Sequence, residues 1–480
     1  MASDLVERFV RLCQYLQNPH HVAKFQQLCG VRGTFARKTS SSEDGEVEPS
    51  INGAHVKRFA VDSTSEEDDV QQTEGARQRK GFDVGNIKQD ERFNGMFNGP
   101  FTIPEAGEGA GQNAELTDSD TGPTNDPPKQ VDSGREKGGV KAIVKPLRKN
   151  SLTGDVGQEF IIENKFLFYL FTLGTELGNE MFFIVFFPFL MWNVDAYVSR
   201  QLIVVWVLVL LLGQSTKDLV RWTRPASPPV VKVEVFYNSE YSMPSTHAMT
   251  GTAIPFCLFL LTYNRWEYPF LFGLSIAVCW SFLVCISRIY MGMHSVLEVI
   301  TGVLYSLLIL AVFLPVLDDI DNFYLSHDHA PLVIPVVHVG LGLLAFSLDT
   351  WSTSRGDTAQ ALATGAGAAL ASHLNHQLGL FPDPPESALP LTLPVINGAL
   401  LGRSLSRLLV GVAVLLAVRA VMKALAIPLA CRVFGVPSDD VRQARQHSPV
   451  ELTYRYLVYG MVAFCCVFLV PVFFSYMNLS

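Results

Sequence analysis

Three short polar runs interrupt the apolar middle of the chain: KDLVRWTRP at residues 217–225, MPSTHAM at 243–249 and SRIYMGMHSVLE at 287–298. They carry the cations, histidines, hydroxyls and carboxylate that phosphate chemistry requires, and membrane segments rarely hold such groups without a task for them. Lys217 and Arg224 are spaced to share one face of a helix, and Pro225 is expected to stop that helix and open the face into a loop. Two fixed cations converging on one point suit a phosphate group. A basic rim snorkelling at the end of a membrane helix would show the same pair. Ser245 and Thr246 follow Pro244 at an expected helix start, where hydroxyls and free backbone N–H groups form an anion cradle. His247 comes next and could give a proton to a leaving oxygen, although an ordinary capped helix start reads the same way. In the third run Arg288 adds a cation and Gly292 allows a turn before His294. Glu298 lies four residues beyond His294, so on a helix its carboxylate can accept the imidazole N–H. That fixes the tautomer and leaves the other ring nitrogen nucleophilic, the logic of a catalytic triad with histidine as the attacking group. A lone His–Glu pair is also a common structural ion pair; the three runs in this order are harder to obtain by chance.

Lys-x6-Arg-Pro, Pro-Ser-x-His and Ser-Arg-x5-His-x3-acid, taken together, resemble the signature of the type-2 phosphatidic acid phosphatase (lipid phosphate phosphatase) superfamily. Thr246 stands where most members have Gly, and in this the chain resembles the sphingosine-1-phosphate phosphatases. The runs TLGTELGNE at 172–180, VFYNSEYSMPSTHAM at 235–249 and DTWSTSRGDTA at 349–359 carry the same resemblance. It implies a phosphatase that needs no metal or cofactor, works through a phosphohistidine, and acts on sphingosine-1-phosphate or a related sphingoid-base phosphate. It also implies an endoplasmic reticulum membrane location with the active site facing the lumen. Carried onto this chain, it implies His294 as nucleophile, His247 as general acid and Glu298 as orienting carboxylate. Lys217, Arg224, Ser245, Thr246 and Arg288 would bind the phosphate. The family usually has Asp where this chain has Glu298, so aspartate there is expected to be neutral or faster, and glutamine to cost rate.

The elements that must position these residues follow from the apolar pattern. Of 480 residues, 49% are hydrophobic and 11% aromatic, which is unusual for one soluble domain, and the average hides a split between a polar first third and an apolar remainder. The net charge of −8 owes much to the acidic tail, and with no basic stripe interleaved with aromatics there is no sign of nucleic-acid binding. Residues 1–30 read as a short amphipathic helix with Leu5, Phe9, Leu12 and Leu16 at helical spacing, and not as a signal peptide. Residues 31–160 read as a disordered polar tail; near its end Arg148-Lys149-Asn150-Ser151 has the spacing met by basophilic kinases. Residues 161–320 form the expected catalytic core, and residues 321–480 supply additional transmembrane helices.

Apolar segments fall at 169–192, 201–214 (extended toward Lys217), 248–263, 268–286, 296–317, 331–348, 359–378, 405–425 and 457–474. The predicted fold class is all-α: a polytopic membrane protein with eight or nine transmembrane helices and a disordered N-terminal tail. The segment at 359–378 is the weakest, with Gly365, Gly367 and Ala369 suited to close helix packing. Glu176, Asn179 and Glu180 are costly in lipid and are expected to face the protein interior. Helix parity returns the third motif to the membrane face of the first and puts the tail on that face too. Lys145, Arg148 and Lys149 favour a cytosolic face for that tail, whereas the family resemblance implies a lumenal site. The eight cysteines show no metal or disulfide spacing, and His338, His373 and His376 are expected to make helix–helix hydrogen bonds. Without a carboxylate cluster no metal requirement follows. A non-catalytic scaffold or an anion transporter stays open as an alternative, although no inverted repeat is visible. None of the motifs precedes residue 160, so the first 145 residues are expected to be dispensable for catalysis.

Overall fold

Apolar runs punctuated by Asn, Asp and Ser caps set the architecture, because every backbone N–H and C=O within a bilayer must be satisfied inside the segment that carries it. A computed structural model describes residues 2–33, 143–145, 160–234, 240–348, 355–437 and 447–479. In chain order the helices are α1 (Ala2–Gln17), α2 (Pro19–Leu28), α3 (Lys165–Glu176), α4 (Glu180–Asn193), α5 (Ala196–Val220), α6 (Thr246–Thr262) and α7 (Phe270–Tyr290). They continue as α8 (Val296–Phe313), α9 (Leu317–Ser326), α10 (Ala330–Leu348), α11 (Arg355–Gln377), α12 (Gly398–Phe434), α13 (Ser448–Val467) and α14 (Leu469–Tyr476). Side-chain caps open many of them: Asn164 accepts from the Leu167 N–H at 3.1 Å, Asn397 from Leu400 at 2.8 Å, and Asp195 and Ser245 do the same for α5 and α6.

Each apolar stretch expected from the sequence falls on a helix or a helix pair. Among the described residues, six spans are long and apolar enough to cross a membrane, and a seventh arises if α3 and α4 count as one broken span bent by 64°. α6, with 17 residues, is shorter than the others. α11 is not apolar enough to count, yet most of its residues are buried. Its small-residue face packs as the sequence predicts: a Cβ on Gly367 would collide with the backbone carbonyl of Gly460 on α13. Large apolar side chains such as Leu271, Leu304, Leu343 and Leu409 point outward, as lipid contact requires. The chain is a mostly helical, multi-pass membrane protein.

The core joins the first half of the chain to the second. Phe183 and Phe187 of α4 lie against Trp206 of α5, and the same apolar cluster takes in Met249 and Ile254 of α6, Ile309 of α8 and Leu362 of α11. The expected single helix at 169–192 is interrupted where its polar residues fall. Asn179 caps α4 and Glu180 opens it, Glu180 accepts from Gln360 of α11 at 3.4 Å, and Glu176 at the end of α3 is exposed and not internal.

The N-terminal segment is more than a surface helix. Leu5, Phe9 and Leu12 of α1 are exposed, but α2 buries Val22, Ala23 and Gln26. Gln26 donates to Val231 O at 2.6 Å and Tyr290 O at 2.9 Å, and it accepts from Val231 N at 2.9 Å. After Gly30, strand β1 (Val31–Gly33) pairs antiparallel with β3 (Phe160–Ile162), whose other edge pairs with β2 (Ile143–Lys145). Within the predicted polar tail, residues 31–33, 143–145 and 160 are therefore in strands; the rest of it, including Ser151, lies outside the described residues. Val31, Phe160 and Ile162 form one apolar cluster with Tyr290, Met291 and Met293 of the third motif.

This changes the expected effect of truncation. Deleting residues 39–138, which hold none of the motif residues, leaves specific activity in micelles within about threefold. Deleting residues 1–33 abolishes it, because the loops at 228–233 and 290–293 lose their anchor. Gln26→Ala strands three buried backbone groups and lowers stability by about 1–3 kcal/mol, readable as a fall in Tm of the detergent-solubilised protein. Full activity after removal of residues 1–33 would refute the anchoring role.

Candidate active site

All eight motif residues meet at one end of α5, α6 and α7. Lys217 lies in the last turn of α5 with its side chain only 2% exposed. α5 stops at Val220, because Arg221 adopts a left-handed conformation with φ 55° and its N–H closes on Lys217 O. Arg224 is thus not on the helix face that the sequence spacing predicts. It reaches the same point from the loop, where its Nη1 donates to Met293 O at 3.1 Å. Arg288, in the last turn of α7, is 1% exposed.

Ser245 is the N-cap of α6, and Thr246 begins the helix as predicted, its Oγ1 accepting from Lys217 Nζ at 3.1 Å. The first N–H groups of α6 therefore open beside the cations, the arrangement that binds anions at helix starts. His247 is half-buried and lies within electrostatic reach of Arg288, Lys217 and Arg224. Gly292 turns the chain with φ +70°, and a Cβ there would strike Val231 O.

His294 Nδ1 is 3.0 Å from Glu298 Oε2, with both side chains 2% exposed. A carboxylate only accepts, so Nδ1 carries the proton and Nε2 keeps its lone pair. That Nε2 lies 3.4 Å from Arg224 Nη1. Burial first, and then Arg224, Arg288 and Lys217, hold His294 well below the ordinary value of 6.5. The same Glu298 Oε2 also accepts from Ser242 Oγ and from Ser295 N at 3.2 Å. Ser295 and Glu298 form a capping box at the start of α8, so one carboxylate caps the helix and orients the nucleophile.

The geometry is that of a closed centre of three buried cations with a neutral histidine at its edge. A cavity of about 300 Å³ opens at the opposite end of α5, around Arg200, Asn375, Asp383 and Arg407, and contains none of these residues.

A sphingosine-1-phosphate phosphatase 1 from Rattus norvegicus is 46% identical over 477 residues, covering 99% of this chain and 100% of its own length. The chain belongs to the sphingosine-1-phosphate phosphatase family. The corresponding Mus musculus protein is 47% identical over 483 residues, covering 99% of this chain and 100% of its own length. Sphingosine-1-phosphate phosphatase 2 of Homo sapiens is 38% identical over 345 residues, 72% of this chain and 86% of its own length. The PAP2 superfamily matches residues 199–320, which contain all three motifs. No solved structure matches the chain. Membership makes it a lipid phosphatase set in a membrane.

Four residues of the site escape motif reasoning. Ser242 bonds to Glu298 and lies 3.3 Å from His294 Nδ1. Glu240 faces Lys217 and Arg224, and Glu234 faces Arg288. Gln26 comes from a distant part of the chain. Ser242 and Glu240 sit in the run at 235–249 that marks the family, which was their only signal; Gln26 had none beyond being polar on an amphipathic helix.

The expectation for Glu298→Asp also changes. Shortening the side chain by about 1.5 Å withdraws an oxygen that serves His294, Ser242 and Ser295 at once. Glu298→Asp lowers kcat about 10–100-fold, and Glu298→Gln costs about 10³-fold or more, both read as steady-state rates. Parent-level activity in Glu298→Asp would mean that the start of α8 shifts to restore the contact. Because His294 stays neutral until the pH falls well below 6.5, the acid limb of kcat/KM owed to this nucleophile lies below the ordinary histidine range.

Proposed function

We propose that this chain hydrolyses sphingosine-1-phosphate and related sphingoid-base phosphates to the free base and inorganic phosphate, through a phosphohistidine on His294. The observation that carries the reading is the pairing of a neutral, Glu298-oriented His294 with Lys217, Arg224 and Arg288 around one point. The names of the relatives supply the substrate class.

The phosphate enters among the three cations, the Ser245 and Thr246 hydroxyls and the first N–H groups of α6. His294 Nε2 attacks phosphorus in line, forming an N–P bond as the P–O bond to the lipid breaks. His247 gives its proton to the departing alkoxide. The dianion itself favours the protonated form of His247, because it offsets the surrounding cations. Water then attacks the phosphohistidine, His247 takes a proton from it, and the N–P bond breaks to release phosphate and restore His294. Fixed cations stabilise charge on the equatorial oxygens throughout, the principal means of catalysis in phosphoryl transfer. No metal is required in this scheme.

Family resemblance is also the basis for assigning the site to the lumenal face of the endoplasmic reticulum membrane. At a bilayer interface the head group can enter while the hydrocarbon tail stays in lipid.

Purified protein assayed on a panel of lipid phosphates in detergent micelles containing a chelator tests the scheme. Release of phosphate from sphingosine-1-phosphate is expected with chelator present. His294→Ala abolishes turnover and the acid-labile, base-stable phosphoenzyme, whereas His247→Ala slows release about 10²–10⁴-fold. Normal turnover by His294→Ala would remove it as nucleophile.

A further inference from the structure

Two carboxylates lie where a phosphate-binding site should least want them. Glu240 Oε2 is 3.4 Å from Lys217 Nζ and 3.6 Å from Arg224 Nη2, and its side chain is 11% exposed. Glu234 Oε2 is 3.0 Å from Arg288 Nη1, with its side chain 16% exposed. Both acids contact the cations assigned to the phosphate. Yet they do not saturate them: the buried Nε atoms of Arg224 and Arg288 have no hydrogen-bond acceptor among the described residues. Unmet donors on guanidinium groups 4% and 1% exposed call for a further oxyanion.

Formal charge sharpens the problem. Lys217, Arg224 and Arg288 are balanced by Glu234, Glu240 and Glu298, so an incoming phosphate dianion finds no net positive charge and two carboxylates on its own ligands. Two further carboxyl groups, Glu180 and Asp357, lie within electrostatic reach of Glu240 and Lys217. Arg455 offsets part of this through Asp357 at 3.6 Å and Glu451 at 3.0 Å. A bare phosphate monoester would bind better without Glu234 and Glu240. A substrate that brings its own positive charge would not.

We propose that Glu240 and Glu234 recognise a primary ammonium carried on the carbon next to the phosphate-bearing one, as in a sphingoid-base phosphate. This specificity role rests on the phosphatase reading above. In such a molecule the nitrogen is about 3 Å from the ester oxygen, two C–C or C–N bonds and one C–O bond away. When the phosphate takes the cations, the displaced carboxylates remain within reach of the ammonium. Before substrate arrives, the same carboxylates hold the buried cations in place. An N-acylated or amine-free phosphate lacks the charge that compensates the two acids and is disfavoured.

The test uses the full-length chain and its Glu240→Gln, Glu234→Gln and double variants in mixed micelles. Rates on sphingosine-1-phosphate are compared with rates on a monoacylglycerol phosphate of equal chain length, which carries no amine. Glu240→Gln is expected to lower kcat/KM for the amine substrate about tenfold or more and to raise it for the amine-free one, with a larger effect in the double variant. Inhibition by inorganic phosphate, a readout independent of the lipid, is expected to strengthen, since an acid competing for Lys217 and Arg224 is gone. Glu240→Asp keeps the charge and retains the preference for the amine. A parallel loss on both substrates with weaker phosphate inhibition would overturn the proposal and leave the acids as positioning residues for the cations. An unmoved substrate ratio in the double variant would overturn it as well. Should the parent hydrolyse neither lipid, the phosphatase reading itself fails and this inference falls with it.

Discussion

Everything in this structure depends on keeping three like charges buried at one point while the site waits for its phosphate. Removing a cation from water costs several kcal/mol even after relaxation, and neighbouring cations add repulsion. The fold meets this by fixing each cation on a different support. Lys217 ends α5 and donates to Thr246 Oγ1, Arg224 is held by Met293 O from a loop, and Arg288 ends α7 against Glu234. Lys217 and Arg224 are further tied to each other, since Glu240 spans both. Preorganisation of this kind means little reorganisation at the moment of phosphoryl transfer.

The motif chemistry was legible because it is local. Ser245 as a cap, Gly292 as a turn with positive φ, and His294 with Glu298 one helical turn on each depend on residues close in sequence. Helix boundaries were less legible. Nothing in KDLVRWTRP says that Arg221 rather than Pro225 ends α5, because a left-handed arginine is set by tertiary contacts, here Arg221 to Leu348 O. The break between α3 and α4 was hidden inside one apolar run, although Asn179 followed by Glu180 is a helix-start signal that could have exposed it. Gln26 could not have been found, because its partners lie more than two hundred residues away.

The buried start of α6 accounts for its shortness. Its N-cap Ser245 is fully buried, so the helix begins inside the protein at the level of the active site, not at the water boundary. A full-length span would carry its first turn past the cations. Starting deeper leaves the first N–H groups without intrahelical partners, facing the place where the phosphate belongs. Burial is tolerable because surrounding helices replace lipid: α5 packs along one side, and Gly302 of α8 comes close to Ser245 O. The same logic lets polar Thr250 and Thr252 sit deep in α6, bonded to Gly178 O and Ser281.

The small sheet reconciles a discontinuous catalytic unit with a long insertion. β1 and β2 both pair with β3, so Gly33 and Ile143 stand on either side of one strand. Two strand spacings and an offset of two residues along β3 put them about 12 Å apart, whatever lies between them in sequence. Loop-closure entropy rises only slowly with loop length, so a chain of about a hundred residues joining two fixed points adds little more cost than a much shorter one. What the sheet must not lose is its register. β3 runs directly into α3, whose Thr175 meets Ser287 of α7 at 3.2 Å, and β1 follows α2, whose Gln26 holds both Val231 and Tyr290. A slip of one residue in β1 against β3 would turn Val31 out of the cluster it shares with Tyr290 and Met293. The strands thus act as the clamp that lets residues before and after the insertion brace the same catalytic loops.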